Sequence, residues 1–230
     1  MAGLVGIRGE DMEQVDALKR AKLEWPQGLP FIRPHVLAPV VVRTDGEDGF
    51  VPARFGMSKR FTSFNARDDK LTSSRLWRGM FGKSHAVAAL SYVVEWVEEG
   101  GKKAPYLIGR RDGGLLLTPA LLGPYLDDKS QQGFAICTRE PNRFFAHFHG
   151  RMVGVLTPQL VDRWLDPAGA TPDELLACVR APRDDELAAW RVTEDITKRK
   201  EGNWEPVRAA PEPLTYADLP KRGPAKQKTL

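Results

Sequence analysis

Cysteine, histidine and long apolar runs are all scarce in this chain of 230 residues. It has two cysteines, Cys137 and Cys178, a number that fits neither a disulfide scaffold nor a zinc ribbon. We therefore expect both to be small packing residues in a reducing compartment. No apolar run approaches the ~20 residues that a membrane-spanning helix needs. The first residues, MAGLVGIRGEDMEQ, carry acids where a signal peptide has its apolar segment, so the expected location is the cytoplasm.

Several motifs that would define an enzyme class are also missing. There is no G-x-S-x-G elbow, no P-loop and no G-x-G-x-x-G fingerprint. The net charge of +4 and the pI near 9.1 permit nucleic-acid binding without establishing it. Part of the excess lies in the final stretch LPKRGPAKQKTL, which contains no acid. This end is either solvated and disordered or a basic tail that contacts phosphates.

Four segments carry helix signals, in which apolar residues at helical spacing stand next to a start or stop signal. A proline ends the first segment and a glycine ends the second. The third and fourth begin with Thr-Pro, an N-cap residue followed by a proline at the first helical position. The predicted helices cover residues 15–25, 73–81, 157–165 and 171–179.

Strand signals dominate the middle of the chain. Residues 36–57 read as two β segments around an Asp-Gly turn, and residues 133–138 read as a buried strand. Residues 86–122 hold three β-rich runs separated by EEGGKK and RRDGG, which predicts a meander of neighbouring antiparallel strands. Because strands and helices do not alternate regularly, the predicted class is one α+β domain. The chain is rich in proline and lysine over 209–230, so a disordered tail is predicted there.

Half of the four histidines lie in the stretch FAHFHGRM. His147 and His149 are two residues apart, which would place both on one face of a strand. The sequence leaves open whether the pair binds a metal, performs acid–base chemistry or packs. A metal site needs three or four ligands and supporting hydrogen bonds, and no partner motif is present. We therefore expect no bound metal.

Three further residues could carry chemistry. Asn65 and Arg67 would project to one side of an extended segment, where an amide and a guanidinium suit a phosphate or a sugar oxygen. A polar edge strand is the alternative. Glu95 is a lone carboxylate at the end of an apolar β run. If it faces inward, desolvation should raise its pKa and make it a proton shuttle, whereas strand alternation could instead turn it into water.

These stretches occur in the order and at the separations of one known family. FNAR, VEW and HGRM resemble the Asn-Ala-Arg, Glu-Trp and His-x-Arg-Met motifs of the SOS-response-associated peptidase (SRAP) family. GGKKAPYLI resembles the family's Lys-x-Pro-Tyr hairpin, and AICT precedes the histidine at the usual distance. The resemblance covers roughly residues 1–208. It implies one SRAP-like domain with a mostly antiparallel, barrel-like β core and flanking helices.

The resemblance also implies a function. SRAP proteins recognise abasic sites in single-stranded DNA, and the cysteine at their mature N-terminus forms a thiazolidine with the sugar aldehyde. By position, Asn65 and Arg67 would hold the DNA and order the N-terminus. Glu95 and His149 would transfer protons and assist ring opening or Schiff-base chemistry. The remaining nucleotide or phosphate contacts that the resemblance implies are Arg75, Thr138 and Arg151.

No cofactor is implied, and the expected partner is single-stranded DNA with an abasic site, bound by a monomer. The chain departs from the family at its N-terminus, where MAGLV replaces Met-Cys-Gly-Arg and Ala2 replaces the cysteine. A thiazolidine needs the amine and the sulfur of one residue, so this product is excluded. ARDDK also replaces Ala-Arg-x-Glu-Thr, and RMVGV replaces Arg-Met-Pro. We interpret the chain as a naturally divergent member.

Three functions follow from this comparison of motifs. The favoured one is binding of single-stranded or abasic DNA in the DNA damage response, without the crosslink. The second is a Schiff-base lyase, because removal of Met1 would leave the α-amine of Ala2, whose unperturbed pKa is about 7.7–8.0. Glu95 and His149 would then move protons during β-elimination. The third is a non-enzymatic scaffold for a protein partner. Peptidase activity on other proteins rests on the family name alone.

Overall fold

A computed structural model describes residues 5–7, 29–197 and 212–221 of the chain. Within these ranges the chain forms twelve strands and two α-helices. The predicted helix over 15–25 and residue Ala2 lie outside the described residues. None of the helices in the described ranges is long and apolar enough to cross a membrane.

The first six strands are β1 (Val5–Ile7), β2 (Leu29–Ile32), β3 (Leu37–Thr44), β4 (Glu47–Phe55), β5 (Asn65–Arg67) and β6 (His85–Leu90). The others are β7 (Tyr92–Glu99), β8 (Lys102–Arg110), β9 (Leu116–Pro124), β10 (Gln132–Arg139), β11 (Met152–Val153) and β12 (Leu187–Arg191). The helices are α1 (Pro158–Leu165) and α2 (Pro172–Cys178).

Five strands close into a barrel. β4 pairs with β3, β3 with β6, β6 with β9, β9 with β10, and β10 returns to β4. Only the last of these five pairings is parallel. A second sheet has the order β12-β8-β7-β1-β2, and its strand pairs are antiparallel. The predicted α+β class with a mostly antiparallel, barrel-like core is confirmed.

The main hydrophobic core is shared by the two sheets. Phe134 and Ile136 of β10 enter it from the barrel, and Val93 of β7 enters it from the second sheet. The alternate residues of β10, Ala135 and Cys137, point to the opposite face. There they pack in a second cluster with residues of α1 and α2. β10 is therefore buried on both faces, which explains its nearly continuous apolar sequence.

Local signals located most of these elements correctly. Asp45 and Gly46 join β3 to β4 with φ of 52° and 82°, as a two-residue type I′ hairpin turn requires. The strand expected at 133–138 is β10. α1 and α2 follow their Thr-Pro signals, and at α2 the Thr171 side chain and Glu174 form a reciprocal capping box.

The helix predicted over 73–81 is wrong. The segment forms successive turns, in which an i→i−4 bond from Arg78 to Ser74 is followed by an i→i−3 bond from Met80 to Trp77. Gly79 lies in the middle of the segment, where a glycine disfavours a continuous helix. Burial of Trp77 stabilises the turns from the core side.

The meander predicted over 86–122 is only partly correct. β7 and β8 do form an antiparallel hairpin, but Ser91 separates β6 from β7 and the two strands join different sheets. β9 leaves β8 and pairs with β6 and β10. The outer edge of β8 is occupied by β12, which comes from far along the chain. Turn residues signal a chain reversal, but they do not specify the strand's partner.

Part of the region predicted as a tail lies against the domain. Leu219 is buried in the main core, and the Leu214 N–H donates to the carbonyl of Ala189 in β12 at 2.8 Å. Within the region predicted as a tail, the structure describes only residues 212–221. The division into a domain over 1–208 and a disordered tail over 209–230 stays a prediction.

His85 links the barrel to α1 as a buried neutral imidazole. Its ring stacks on Trp164 with centroids 4.0 Å apart. Nε2 accepts a hydrogen bond from the Gly82 N–H at 2.9 Å, so Nδ1 carries the proton and donates to the Trp164 carbonyl at 2.8 Å. Burial lowers the pKa of His85 from 6.5 to about 4.

We expect the titration of His85 to lower the free energy of unfolding by about 2 kcal/mol between pH 7 and pH 5. The pKa of His85 is lower in the folded state, so unfolding takes up a proton in this interval. The contribution of His85 to stability is therefore fully present above about pH 6.5 and is lost as the pH falls towards 4. Urea denaturation at several pH values measures this change. His85→Gln should be less stable at pH 7 but flatter with pH, and an equally steep curve in that variant would contradict the assignment.

Candidate nucleic-acid site

Four of the sequence-predicted site residues lie at the carboxyl end of β10, where Arg67 follows Asn65 on β5. On one edge β5 pairs in parallel, with Asn65 opposite Ile136 and Arg67 opposite Thr138. On the other edge β11 pairs antiparallel, with Thr138 opposite Val153. Arg151 immediately precedes β11. The structure thus brings these four site residues together from distant parts of the sequence.

Asn65 and Thr138 present buried polar atoms that lack partners. Asn65 is 9% exposed and Thr138 is 2% exposed. Within the part of the chain that the structure describes, Oδ1 and Nδ2 of Asn65 and Oγ1 of Thr138 have no hydrogen-bond partner. A buried unsatisfied polar group costs about 1–3 kcal/mol, so such groups in a folded protein require an explanation. An incoming polar ligand is the explanation that this position suggests.

Arg151 is bound to the protein by two strong contacts. Its Nη2 donates to Oδ1 of Asp68 at 2.6 Å and to the Thr138 carbonyl at 2.5 Å. The Arg151 side chain is 12% exposed and the Asp68 side chain is 25% exposed. This ion pair joins the short 3-10 helix Asp68–Lys70 to the end of β10. It holds the Arg151 guanidinium next to the main chain of Thr138.

Arg67 forms a second, more exposed ion pair. Its Nε and Nη2 donate to the two carboxylate oxygens of Asp69 at 2.9 and 2.7 Å. Both side chains are about half exposed, at 49% and 46%. The bidentate bond raises the pKa of Arg67 and lowers the pKa of Asp69.

The two histidines of FAHFHGRM have different surroundings. The Nδ1 atom of His149 lies 3.0 Å from the Arg151 backbone nitrogen and 3.1 Å from the Arg151 carbonyl oxygen. The Nδ1 atom of His147 lies 3.1 Å from the Pro220 carbonyl, and its ring meets Tyr216 edge-on at 5.5 Å. Across the described ranges, no group of three or more His, Cys, Asp or Glu side chains is placed to hold a metal.

Glu95 faces inward, which answers the question that the sequence left open. It is 3% exposed and lies on the same side of β7 as Val93, a residue of the main core. Its cross-strand partner is Tyr106, whose ring packs against Phe148 at 5.3 Å. Because Phe148 directly precedes His149, this aromatic contact connects the Glu95 region to the histidine.

The N-terminal strand approaches the same region. β1 pairs with β7 in antiparallel register, with Val5 opposite Val93 and Gly6 opposite Tyr92. The first residue of β1, Val5, is therefore opposite a position two residues along β7 from Glu95. Ala2 itself lies outside the described residues.

Arg75 is not joined to this site by a side-chain hydrogen bond in the described structure. It is exposed in the turns that follow β5. Its role as a DNA contact stays a prediction, as do the roles of Asn65, Arg67, Thr138 and Arg151.

Sequence reasoning missed the residues that support the site. Asp68 was visible only as part of a departure from the family pattern, in ARDDK. Tyr106 was visible as the tyrosine of a hairpin motif, and Phe148 as the residue before His149. Their contacts depend on which strands pair, and no local spacing reveals that.

Comparisons with known proteins agree with this fold. The sequence profile of one family, described as SOS response associated peptidase (SRAP), matches residues 31–199. An abasic site processing protein of Saccharomyces cerevisiae is 32% identical over 145 residues, which are 61% of this chain and 39% of that protein. The abasic site processing protein YedK of Escherichia coli is 29% identical over 122 residues, which are 51% of this chain and 55% of YedK. The chain thus spans about half the length of these relatives or less.

Solved structures show the same fold. Two proteins of Bordetella bronchiseptica, the second titled a phage-related protein, match with TM-scores of 0.68 and 0.67. Their sequence identities are 18% and 20%, and each match covers 84% of this chain. The matches cover 100% and 94% of those two chains.

Thr138→Val should raise the free energy of unfolding by about 1 kcal/mol, because it removes a buried hydroxyl that lacks a partner and keeps the shape. Thr118→Val is the matched control, since Thr118 is also buried in a barrel strand but donates to the Leu116 carbonyl at 3.4 Å. The control should not gain stability. Urea denaturation of both variants measures the difference. Loss of stability in Thr138→Val would show that its hydroxyl is satisfied in the free protein.

Proposed function

Because the chain belongs to the SRAP family, we propose that it binds abasic sites in single-stranded DNA during the DNA damage response, without the family's thiazolidine crosslink. The observation that carries this proposal is the pair of buried polar side chains, Asn65 and Thr138, for which the described residues provide no hydrogen-bond partner. The curated relatives are named abasic site processing proteins, which supports DNA with abasic sites as the partner. We further propose that the protein acts as a cytoplasmic monomer and is nucleoid-associated when bound to DNA.

The chemistry of an abasic site suits these two residues. A sugar without its base exposes hydroxyl groups, a ring oxygen and, when the ring opens, an aldehyde. The Asn65 amide offers two donors and an acceptor, and the Thr138 hydroxyl offers both functions. In a single strand the sugar can reach these side chains without being extruded from a duplex. The exposed basic residues Arg67 and Arg75 would contact the phosphates.

His149 and Glu95 supply the proton-transfer groups of this proposal. The Nδ1 atom of His149 contacts the backbone of Arg151, which holds the ring at the end of β10. Glu95 projects into the main core from the second sheet. Both groups would assist opening of the sugar ring, because this step moves a proton from the C1 hydroxyl to the ring oxygen.

We expect tighter binding of a single-stranded oligonucleotide with an abasic site than of the intact strand, and weaker binding of both as salt rises. Fluorescence anisotropy measures both affinities. Asn65→Leu should lose about ten-fold or more of the preference for the abasic strand, because it cannot hydrogen-bond the sugar.

His149→Ala should also weaken abasic binding, whereas His147→Ala should not, since the His147 ring contacts Tyr216 and Pro220 instead. Equal affinity of the wild-type protein for abasic and intact strands, without salt dependence, would refute the proposed function.

A second candidate is a Schiff-base lyase, and the observation that favours it is the start of β1 at Val5, opposite Val93 and two residues along β7 from Glu95. After Met1 removal, the Ala2 α-amine would attack the C1 aldehyde and release water to form an imine. Glu95 and His149 would then move protons during β-elimination of the 3′ phosphate.

Borohydride reduction of a mixture with abasic DNA should trap an adduct if this lyase chemistry occurs, and intact mass spectrometry should show it. Glu95→Gln should slow strand cleavage at least ten-fold and leave DNA binding within about two-fold of wild type. A cysteine-bearing SRAP homologue is the positive control. No trapped adduct beside a positive control would leave binding alone as the function.

A further inference from the structure

Four charged side chains at the end of β10 form two ion pairs whose formal charges cancel. Arg67 is paired with Asp69, and Arg151 is paired with Asp68. A second oxygen contact, between Arg151 Nη2 and Asp69 Oδ1 at 3.9 Å, joins the pairs. The site therefore has two arginines but no net positive charge from this cluster. A neutral cluster is unexpected for residues that would bind DNA phosphates.

We infer that Asp68 is a specificity-determining residue that keeps Arg151 on the protein and so limits the number of phosphate charges that the site engages. The inference rests on the proposed function. With the charge of Arg151 compensated by Asp68, the polar groups of Asn65 and Thr138 would bind an uncharged sugar, and affinity would come less from the phosphates that every DNA strand carries. Asp68 thereby raises the preference for the abasic site over intact DNA.

The contacts of Arg151 explain why it stays in place. Its Nη2 donates to both Asp68 and the Thr138 carbonyl, and its side chain is 12% exposed. Its backbone N–H also binds Nδ1 of His149. Both side-chain contacts are made by Nη2, and the low exposure of the side chain leaves little of the guanidinium open to a phosphate. Arg151 is thus a positioning residue, which holds Thr138 and His149 in place.

The Arg67–Asp69 pair differs from this pair in exposure. Both of its side chains are about half exposed, and water and salt screen such pairs strongly. Arg67 can therefore exchange Asp69 for a phosphate at little cost. The partly buried Asp68–Arg151 pair is screened less, so Asp68 rather than Asp69 determines whether a further positive charge is available.

Asp68→Asn tests the inference with a near-isosteric change. Asparagine keeps Oδ1 as an acceptor for Arg151 and for the Asp69 N–H, which lies 3.0 Å from it, and removes only the charge. Binding to single-stranded DNA should become more salt-dependent by a slope of about 0.7 in log K against log salt, the value for one more phosphate contact. With this difference in slope, a ten-fold fall in salt tightens the binding of the variant about five-fold more than the binding of the wild type. The ratio of abasic to intact affinity should fall.

Asp185→Asn is the control for net charge, because Asp185 forms an exposed bidentate pair with Arg183 at 2.9 and 2.6 Å. It should change the slope by less than about 0.2. If Asp68→Asn changes slope and preference no more than this control does, the inference is overturned. Absence of any DNA binding by the wild-type protein would instead refute the proposed function, so the two failures are distinguishable.

Arg151→Met separates a positioning role from a phosphate contact. If Arg151 stays on the protein, this variant should lose preference for the abasic strand but keep the salt slope of the wild type. A fall of about 0.7 in the slope would show that Arg151 already contacts a phosphate, and the inference would be wrong. In the Arg151→Met background, Asp68→Asn should no longer steepen the slope, since the charge that it frees is gone.

Discussion

The main-chain pairing of β10 on both of its edges holds the domain together. Along one edge β10 pairs first with β4 and then with β5, and along the other it pairs first with β9 and then with β11. The first pair of neighbours closes the barrel, and the second pair forms the site. Close approach is needed at the start of the strand, where a Cβ on Gly133 would lie 2.7 Å from the Gly56 carbonyl oxygen. A side chain there would separate β4 from β10 and open the ring.

The same strand has to satisfy two opposing demands. Its two faces are packed with apolar residues, yet at Thr138 it buries a hydroxyl that lacks a partner in the described structure, next to an Asn65 amide in the same condition. Neither group contributes to folding, because each is removed from water without a compensating hydrogen bond. The rigid pairing around them holds their polar atoms in fixed positions before any ligand arrives. This preorganisation reduces the entropy that binding would otherwise cost.

Local sequence signals predicted the elements better than their partners. The Asp45-Gly46 hairpin, β10 and the Thr-Pro helix starts depend on neighbouring residues, so the sequence revealed them. The partner of β9 depends on barrel closure, and no local spacing encodes it. Likewise, the inward orientation of Glu95 became definite only when the neighbouring core of Val93 was known. Family motifs supplied the site residues, but not the ion pair that holds Arg151.

The family's nucleophile has no substitute among the cysteines of this chain. Cys137 adjoins Thr138 in sequence, but strand alternation turns its sulfur to the opposite face of β10, into the cluster under α1 and α2. Burial also raises the pKa of the Cys137 thiol, so it is not ionised near neutral pH. Cys178 is buried in the same cluster. With Ala2 in place of cysteine, sulfur chemistry is thus separated from Asn65 and Thr138. The proposed lyase reaction would therefore use the α-amine, and without it the proposed binding would depend on hydrogen bonds to the sugar and on contacts with the phosphates.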